Sequence, residues 1–343
     1  MATHLKALRS QVMLITGATS GIGLVTARAA AAKGASLVLA ARDSAALDQL
    51  AAELRANGGQ VLAVPTDVGS RDEVAALGRA ALSHYGRIDS WVNNAGVSIF
   101  GRLREVPLAD QEKLFQTNFW GVVHGSLVAL DLMKEGGGAL INIGSEVSDR
   151  AVPLQGMYCA SKHAVKGFTD ALRMEIEKDR VPISVTLIKP AGIDTMFVNH
   201  ARNYMDKEPE LPAPLYAPEL VADAILYAAE HRRRDIYVGG AAKMVALEGF
   251  AMPRLLDKFM HLVMFKQQQK KNQPSAAGRG DALYGPNGMD LHERQGGHRH
   301  PVHERSAYTY LTTRGKPWAL SLLAGGVLLT AWKMRAATRA PAR

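Results

Sequence analysis

The chain has 343 residues, 47% of them hydrophobic, with 32 glycines and a single cysteine, Cys159. This is a globular, turn-rich composition that excludes a disordered or fibrous chain, and one cysteine excludes an internal disulfide framework and fits a reducing cytoplasm. The formal net charge of +9 is uneven, because 13 of the 41 Lys+Arg but only 4 of the 32 Asp+Glu lie from Lys266 onward, leaving 28 of each sign upstream.

The opening residues run straight into a strand with no apolar stretch of signal-peptide type. Gln11 to Thr16 is a short apolar strand, followed by Thr16-Gly17-Ala18-Thr19-Ser20-Gly21-Ile22-Gly23 and an alanine-rich helix to about Lys33. Strand, glycine-rich turn and helix aim backbone N–H groups and a helix N-terminus at a pyrophosphate, so this turn reads as a nucleotide site. Ser36 to Ala41 is the second strand. A site for NAD wants a carboxylate at its end, whereas here Arg42 follows, a residue able to pair with a 2′-phosphate, so NADP(H) is preferred over NAD(H).

A helix from Ser44 to Ala56 and a third strand from Gln60 to Val64 lead to Asp67 and Val68, where a carboxylate could meet an adenine amino group. A helix around Arg71 to Tyr85 precedes the fourth strand, Asp89 to Val92, and Asn93-Asn94-Ala95-Gly96. Pro107 to Met133 is helical by pattern and contains Asn118; alone, such an asparagine reads as solvent-facing or capping. The fifth strand, Ala139 to Ile143, delivers Ser145 just past its end. Tyr158 and Lys162 lie four residues apart in a helical segment reaching about Lys178, so both project from one face. A phenol beside an ammonium is expected to have its pKa drawn down toward neutrality, and a serine hydroxyl nearby can hold the oxygen being protonated.

Ile183 to Ile188 forms a sixth strand, Met196 to Pro218 reads as a mobile lid, Pro218 to Glu230 is helical, and Asp235 to Val238 closes the set. Repeated alternation of strand and helix implies an α/β fold with a doubly wound, Rossmann-like parallel sheet in a single domain over residues 1–240. Cys159 points about 100° away from Tyr158 around the helix and reads as a small packed residue.

Taken in order, Thr16-Gly17-xxx-Gly21-x-Gly23, Asp67, Asn93-Asn94-Ala95-Gly96, Asn118, Ser145 and Tyr158-xxx-Lys162 resemble the ordinary-length branch of the short-chain dehydrogenase/reductases. The resemblance covers roughly residues 8–240. It implies Tyr158 as general acid in reduction and base in oxidation, with Lys162 lowering its pKa and holding the nicotinamide ribose. It also implies that Ser145 steadies the substrate oxygen and that Asn118 holds a water linking Lys162 to solvent. The implied cofactor contacts are Gly17, Thr19, Ser20, Gly21, Ile22, Gly23, Arg42, Asp67 and Val68 toward the adenosine and phosphates, with Asn94, Ala95 and Gly96 bracing that pocket. Pro190, Ile193 and Thr195, together with Tyr158 and Lys162, would meet the nicotinamide end. One departure is Pro190-Ala191 where the family usually has Pro-Gly; an alanine costs energy there only if the position needs a left-handed backbone.

Ala241 to Phe265 is apolar and methionine-rich, a helical extension that could close over substrate, pack on a partner or rest on a membrane. Residues 266–316 read as a flexible basic linker, whose histidines are too loosely spaced for a metal site. Pro317 to Trp332 carries no charge and is bracketed by Trp318 and Trp332 with basic flanks, as in an interfacial belt. As helix it spans about 21 Å against roughly 30 Å of hydrocarbon. Membrane anchor, docked helix and loose tail all remain open for 317–343.

The expectation is an NAD(P)-dependent oxidoreductase interconverting a carbonyl and a secondary alcohol by hydride transfer, leaning to NADPH-dependent reduction of an apolar or lipid-like substrate. It would be cytoplasmic, with membrane contact through 317–335 as an option, a homo-oligomer by the family's habit, and without a nucleic-acid partner. The alternatives are a catalytically idle NADP sensor and a membrane-tethered scaffold on the same fold.

Overall fold

The computed structural model describes residues 5–244 and 253–314. Seven aliphatic runs form one parallel sheet: β1 (Val12–Thr16), β2 (Ser36–Ala41), β3 (Val61–Pro65), β4 (Ser90–Asn93), β5 (Gly138–Ile143), β6 (Ile183–Pro190) and β7 (Asp235–Val238). Their spatial order is β7-β6-β5-β4-β1-β2-β3. The chain winds outward from β1 to β3, then restarts at β4 on the other side of β1. The carboxyl ends of β1 and β4 therefore flank the crevice in which doubly wound sheets bind ligands.

Both faces of the sheet are covered, which is why the strands are continuously apolar rather than alternating. On one face α1 (Gly21–Ala32), α2 (Ser44–Ala56) and α7 (Pro218–Glu230) bury Leu24, Leu47, Leu50, Val221 and Ile225. On the other, α3 (Arg71–Tyr85), α5 (Gly121–Met133) and α6 (Gly156–Lys178) bury Leu77, Ala129, Met133, Leu172 and Ile176. Local chemistry fixes the helix starts: the Asp43 carboxylate accepts from Ala46 N at 3.0 Å to begin α2, and Ser70 Oγ accepts from Glu73 N at 3.3 Å to begin α3.

The helix expected over Pro107 to Met133 is α4 (Leu108–Phe115) joined to α5 through a π-helical turn, Gln116–Trp120. That turn sets Asn118 facing inward, fully buried, which overturns its reading as a solvent-facing or capping residue.

The extension is seated on the domain. Helix α8 (Pro253–Gln267) is followed by Gln269–Pro274, which pairs antiparallel with Lys207–Pro209. Val302–His303 adds in parallel to Leu215–Tyr216, and α9 (Ala307–Thr313) places Thr309 Oγ1 2.9 Å from the N–H of Gly239, which it accepts. The expected flexible linker over 266–316 is thus, through residue 314, a covering layer. Its polar residues find partners far away in sequence: Arg279 pairs with Glu208, Asp281 with Arg202, and Arg294 with Glu219. Residues 317–343, including the tryptophan-bracketed stretch, lie outside the described residues, and among the described residues no helix is long and apolar enough to cross a membrane.

Candidate active site

The glycine-rich turn links β1 to α1. Gly17 (φ 64°) and Gly21 (φ 49°) have left-handed backbones, and a Cβ on Gly23 would stand 2.0 Å from the Gly17 carbonyl oxygen. Asn94, at the end of β4, braces the turn by donating from Nδ2 to the carbonyls of Thr16 (2.9 Å) and Gly17 (3.1 Å). Side chains at these glycines would strike Ala95, Thr195 and the Gly17 carbonyl, so only glycine lets the turn pack this closely at the N-terminus of α1.

Past the end of β5, Ser145 caps a 3₁₀ turn (Glu146–Ser148). Its backbone N–H donates to Ser148 Oγ at 3.1 Å while its own Oγ accepts from Val147 N at 3.3 Å. Ser148 therefore serves the turn, and Ser145 is the hydroxyl facing Tyr158. Lys162 is buried on α6 and donates from Nζ to the Ile143 carbonyl at 2.9 Å, with Nζ 5.8 Å from the Tyr158 ring centroid. Asn118 locks onto Val97 from both sides, accepting from its N–H (2.8 Å) and donating to its carbonyl (2.9 Å), and it also donates to Ser161 Oγ at 3.3 Å.

Burial governs the titration of this group. It pushes the Tyr158 phenol well above its ordinary value, against the opposing hydrogen bond with Ser145, and pulls Lys162 down to about 8. The expected lowering of Tyr158 by its lysine is therefore corrected. The ammonium is turned to a backbone carbonyl and is itself discouraged by desolvation, so the dry cavity favours the neutral phenol.

One residue of this cavity has no precursor in the sequence reading. Glu146 lines it beside Ser145 and Tyr158, and burial lifts its carboxyl to about 7. The only sequence signal was an acidic residue directly after Ser145, between a buried strand and apolar Val147. Cys159 is packed, its thiol against the backbone of Val152 and pushed up to about 11 by burial. Ala191 is not left-handed, the non-glycine residues with such backbones among those described being Leu154, Arg180 and Leu291, so replacing the usual glycine introduces no strain.

The cavity walls are Ile22, Val147, Val152, Phe197, Leu211 and Pro212 with the polar Ser145, Tyr158 and Lys162. Phe197, in the stretch read as a lid, brings its ring to 5.2 Å from that of Tyr158. The extension backs this wall from outside: Leu256, Met260 and Met264 on one face of α8 pack with Val152, which lines the cavity. Just beyond α8, Gln268 is fully buried, accepting from Gln155 Nε2 (2.7 Å) and donating to the Pro153 carbonyl (2.8 Å).

A second cavity meets the first at Gly96 and runs under the turn past Gly17, Thr19, Ser20, Arg42, Asp67, Val68 and Ala95. Thr117 lines it with a buried hydroxyl that lacks a partner. Asp67 is held below its ordinary pKa because, against the cost of burial, its carboxylate accepts from Gly69 N (2.9 Å) and Lys113 Nζ (3.1 Å). At the other end Ile193 and Thr195 face the catalytic cavity, and Pro190 ends β6 beside them. The two joined cavities, the glycine cradle and the unpartnered Thr117 hydroxyl fit a long, polar, phosphate-bearing ligand. Every residue singled out from the sequence except Gly21, Gly23 and Asn118 lines one of the cavities; those three shape the walls behind it.

The comparisons agree with this geometry. The short chain dehydrogenase family model matches residues 11–206. The oxidoreductase YxnA of Bacillus subtilis is 45% identical over 313 residues, covering 90% of this chain and 87% of its own. A 3-oxoacyl-[acyl-carrier-protein] reductase of Synechocystis is 37% identical over 229 residues, 65% of this chain and 90% of that protein. Among solved structures, an alcohol dehydrogenase from the archaeon Thermococcus sibiricus complexed with 5-hydroxy-NADP superposes with a TM-score of 0.58 at 28% identity, covering 66% of this chain and 95% of that one. The parallel sheet, the glycine turn at its switch point and the family match together establish that this chain belongs to the short-chain dehydrogenase family of nicotinamide-dependent oxidoreductases.

Proposed function

We propose that the protein is an NADP(H)-dependent oxidoreductase that reduces an apolar ketone to a secondary alcohol. The observation that carries the reading is the convergence of Ser145, Tyr158 and Lys162 in one apolar-walled cavity that shares Gly96 as a wall with the cavity at the glycine turn. Arg42 at the end of β2 favours a 2′-phosphate, and Thr19, Ser20 and the N-terminus of α1 would hold the pyrophosphate. A bound reduced nicotinamide supplies the hydride. The protein's own part is to orient the carbonyl and deliver a proton.

Tyr158 is neutral in this cavity and so carries the proton that reduction needs; burial makes it a weaker acid, and the hydrogen bond with Ser145 works against that shift. Tyr158 Oη gives its proton to the carbonyl oxygen as that oxygen gains charge, while the Ser145 hydroxyl donates a hydrogen bond to the same atom. Lys162 uses one of its three donors on the Ile143 carbonyl and, with Nζ 5.8 Å from the ring centroid, would offset the charge left on the phenolate, and Asn118 keeps the backbone at Val97 fixed beside it. Two relatives lend support: one is named as a 3-oxoacyl-[acyl-carrier-protein] reductase, and the archaeal dehydrogenase was solved with 5-hydroxy-NADP. The exposed apolar side chains of Trp120, Leu127 on α5 and Met174 on α6 suit self-association into a homo-oligomer, which sedimentation of the purified chain tests.

The test is NADPH consumption with a matched ketone series from short and polar to long-chain or cyclic. Faster turnover of the apolar members is expected. Far better turnover of small polar ketones would remove the substrate assignment, and no turnover of any carbonyl would remove the activity.

A further inference from the structure

We propose that residues 285–292 are an internal strap that competes with the dinucleotide for its site, so that cofactor binding requires the strap to lift. This rests on the reading of the cleft as a dinucleotide site. The polar groups assigned to the cofactor already have partners from the strap or its neighbours. Gly21 N, on the first turn of α1, donates to the His292 carbonyl at 3.0 Å, and Leu291 N donates to the Thr19 carbonyl at 2.7 Å. The Thr19 hydroxyl donates to the Asp290 carboxylate. Ser20 Oγ is 3.2 Å from His200 Nε2, whose other ring nitrogen is 2.9 Å from Asn287 Oδ1. Arg42 donates to the carbonyls of Ala282 and Leu283 at the strap's near end.

Asp290 makes the overlap an electrostatic conflict. It sets a negative charge on the hydroxyl beside the helix N-terminus that would hold a pyrophosphate, and two anions sharing those donors repel in a low-dielectric cleft. The carboxylate and the backbone carbonyl of His292 act as stand-ins for phosphate oxygens.

The strap is built to move without unravelling. Upstream it is pinned by Leu283, fully buried with Val97, Ile99 and Leu114, and by Tyr284, whose hydroxyl donates to Asp110 at 2.8 Å. Downstream, Asp194 accepts from Gln295 N and Gly296 N at 3.2 Å each, and Arg294 pairs with Glu219 at 2.6 Å. Between the pins run Gly285-Pro286-Asn287-Gly288-Met289-Asp290-Leu291-His292. Gly288 is left-handed at φ 71°, and Leu291 adopts φ 64°, a strained backbone for a leucine that its bond to Thr19 helps to hold.

The test uses the full chain and Asp290→Asn, with NADPH affinity from nicotinamide fluorescence and amide hydrogen exchange across the strap. Asp290→Asn keeps a hydrogen-bond acceptor but removes the charge, and NADPH should bind roughly tenfold tighter to it. In the wild-type protein, saturating NADPH should speed exchange at residues 286–292. Unchanged or weaker binding by Asp290→Asn, or slower exchange in the strap on adding NADPH, overturns the proposal and makes the segment a plain wall or a clamp. If NADPH and NADH bind neither folded protein, the dinucleotide reading itself falls and takes the strap with it.

Discussion

The two ends of the cleft are covered by the same C-terminal extension in different ways. At the Tyr158 end α8 and Gln268 roof over the wall residues Val152, Pro153 and Gln155 by packing: Leu256, Met260 and Met264 are buried, and the titratable groups inside that wall are shifted by loss of water. At the adenosine end residues 282–292 lie over Arg42, Thr19 and Gly21 through hydrogen bonds and one carboxylate. An apolar roof strengthens electrostatic contacts beneath it by excluding water, and its loss degrades the site. A polar cover takes up the donors a ligand needs, and its loss frees them. Opposite responses to perturbation are therefore expected at the two ends.

The largest effect belongs under the roof. Tyr158→Phe removes the proton donor but leaves the ring that packs near Phe197, so kcat for carbonyl reduction should fall about 10²–10⁴-fold while NADPH affinity measured by fluorescence stays near wild type. A matching loss of affinity would mean that Tyr158 shapes the cleft rather than serving the reaction. At the other end, Arg42→Ala should weaken NADPH about 10–100-fold, the range for a lost charge-assisted contact, and leave NADH little changed. Equal loss of both nucleotides would assign Arg42 to holding the carbonyls of Ala282 and Leu283.

Smaller changes sharpen the contrast. Gln268→Ala strands the buried Gln155 amide and the Pro153 carbonyl, at a cost of about 1–3 kcal/mol to stability, and should raise KM for an apolar ketone more than it lowers kcat. A fall in melting temperature with KM unmoved would separate the roof from substrate binding. Glu146→Gln is the mildest. A carboxyl lifted to about 7 in the fold holds a proton that the unfolded chain releases above its ordinary 4.5. The folded state thus binds more protons in that window, and its stability falls as pH rises from 4.5 to 7. The glutamine variant escapes this penalty, so it should melt higher than the wild type at pH 8 and lose the advantage near pH 4. An equal gain at both pH values would show that the carboxyl is not the source.

Legibility in the sequence follows the range of the interactions. β2, α2, α3, α7 and β7 lie where their periodicity and caps put them, because Asp43, Ser70 and Gly86 act on their own helices. The meeting of Ser145, Tyr158 and Lys162 at one cavity was legible too, since Tyr158 and Lys162 share one helix and Ser145 follows one strand. The position of Asn118 required the π-turn, which no local pattern marks. The phenol's pKa was misjudged because spacing along α6 says nothing about how dry the cavity is or that Lys162 reaches for Ile143. The covering layer was hidden most completely. Its glycines, histidines and arginines have the composition of a linker, and only partners such as Glu208, Asp194 and Thr19, some 70 to 270 positions away, reveal its place.

The most direct test of the central claim is a titration of the purified protein with NADPH and with NADH, followed by single-turnover reduction of an apolar ketone by wild type and Tyr158→Phe. Tighter binding of NADPH is expected, with a turnover in the wild type and none comparable in the variant despite equal loading. Preference for NADH would contradict the role of Arg42, and equal turnover by Tyr158→Phe would contradict the site itself.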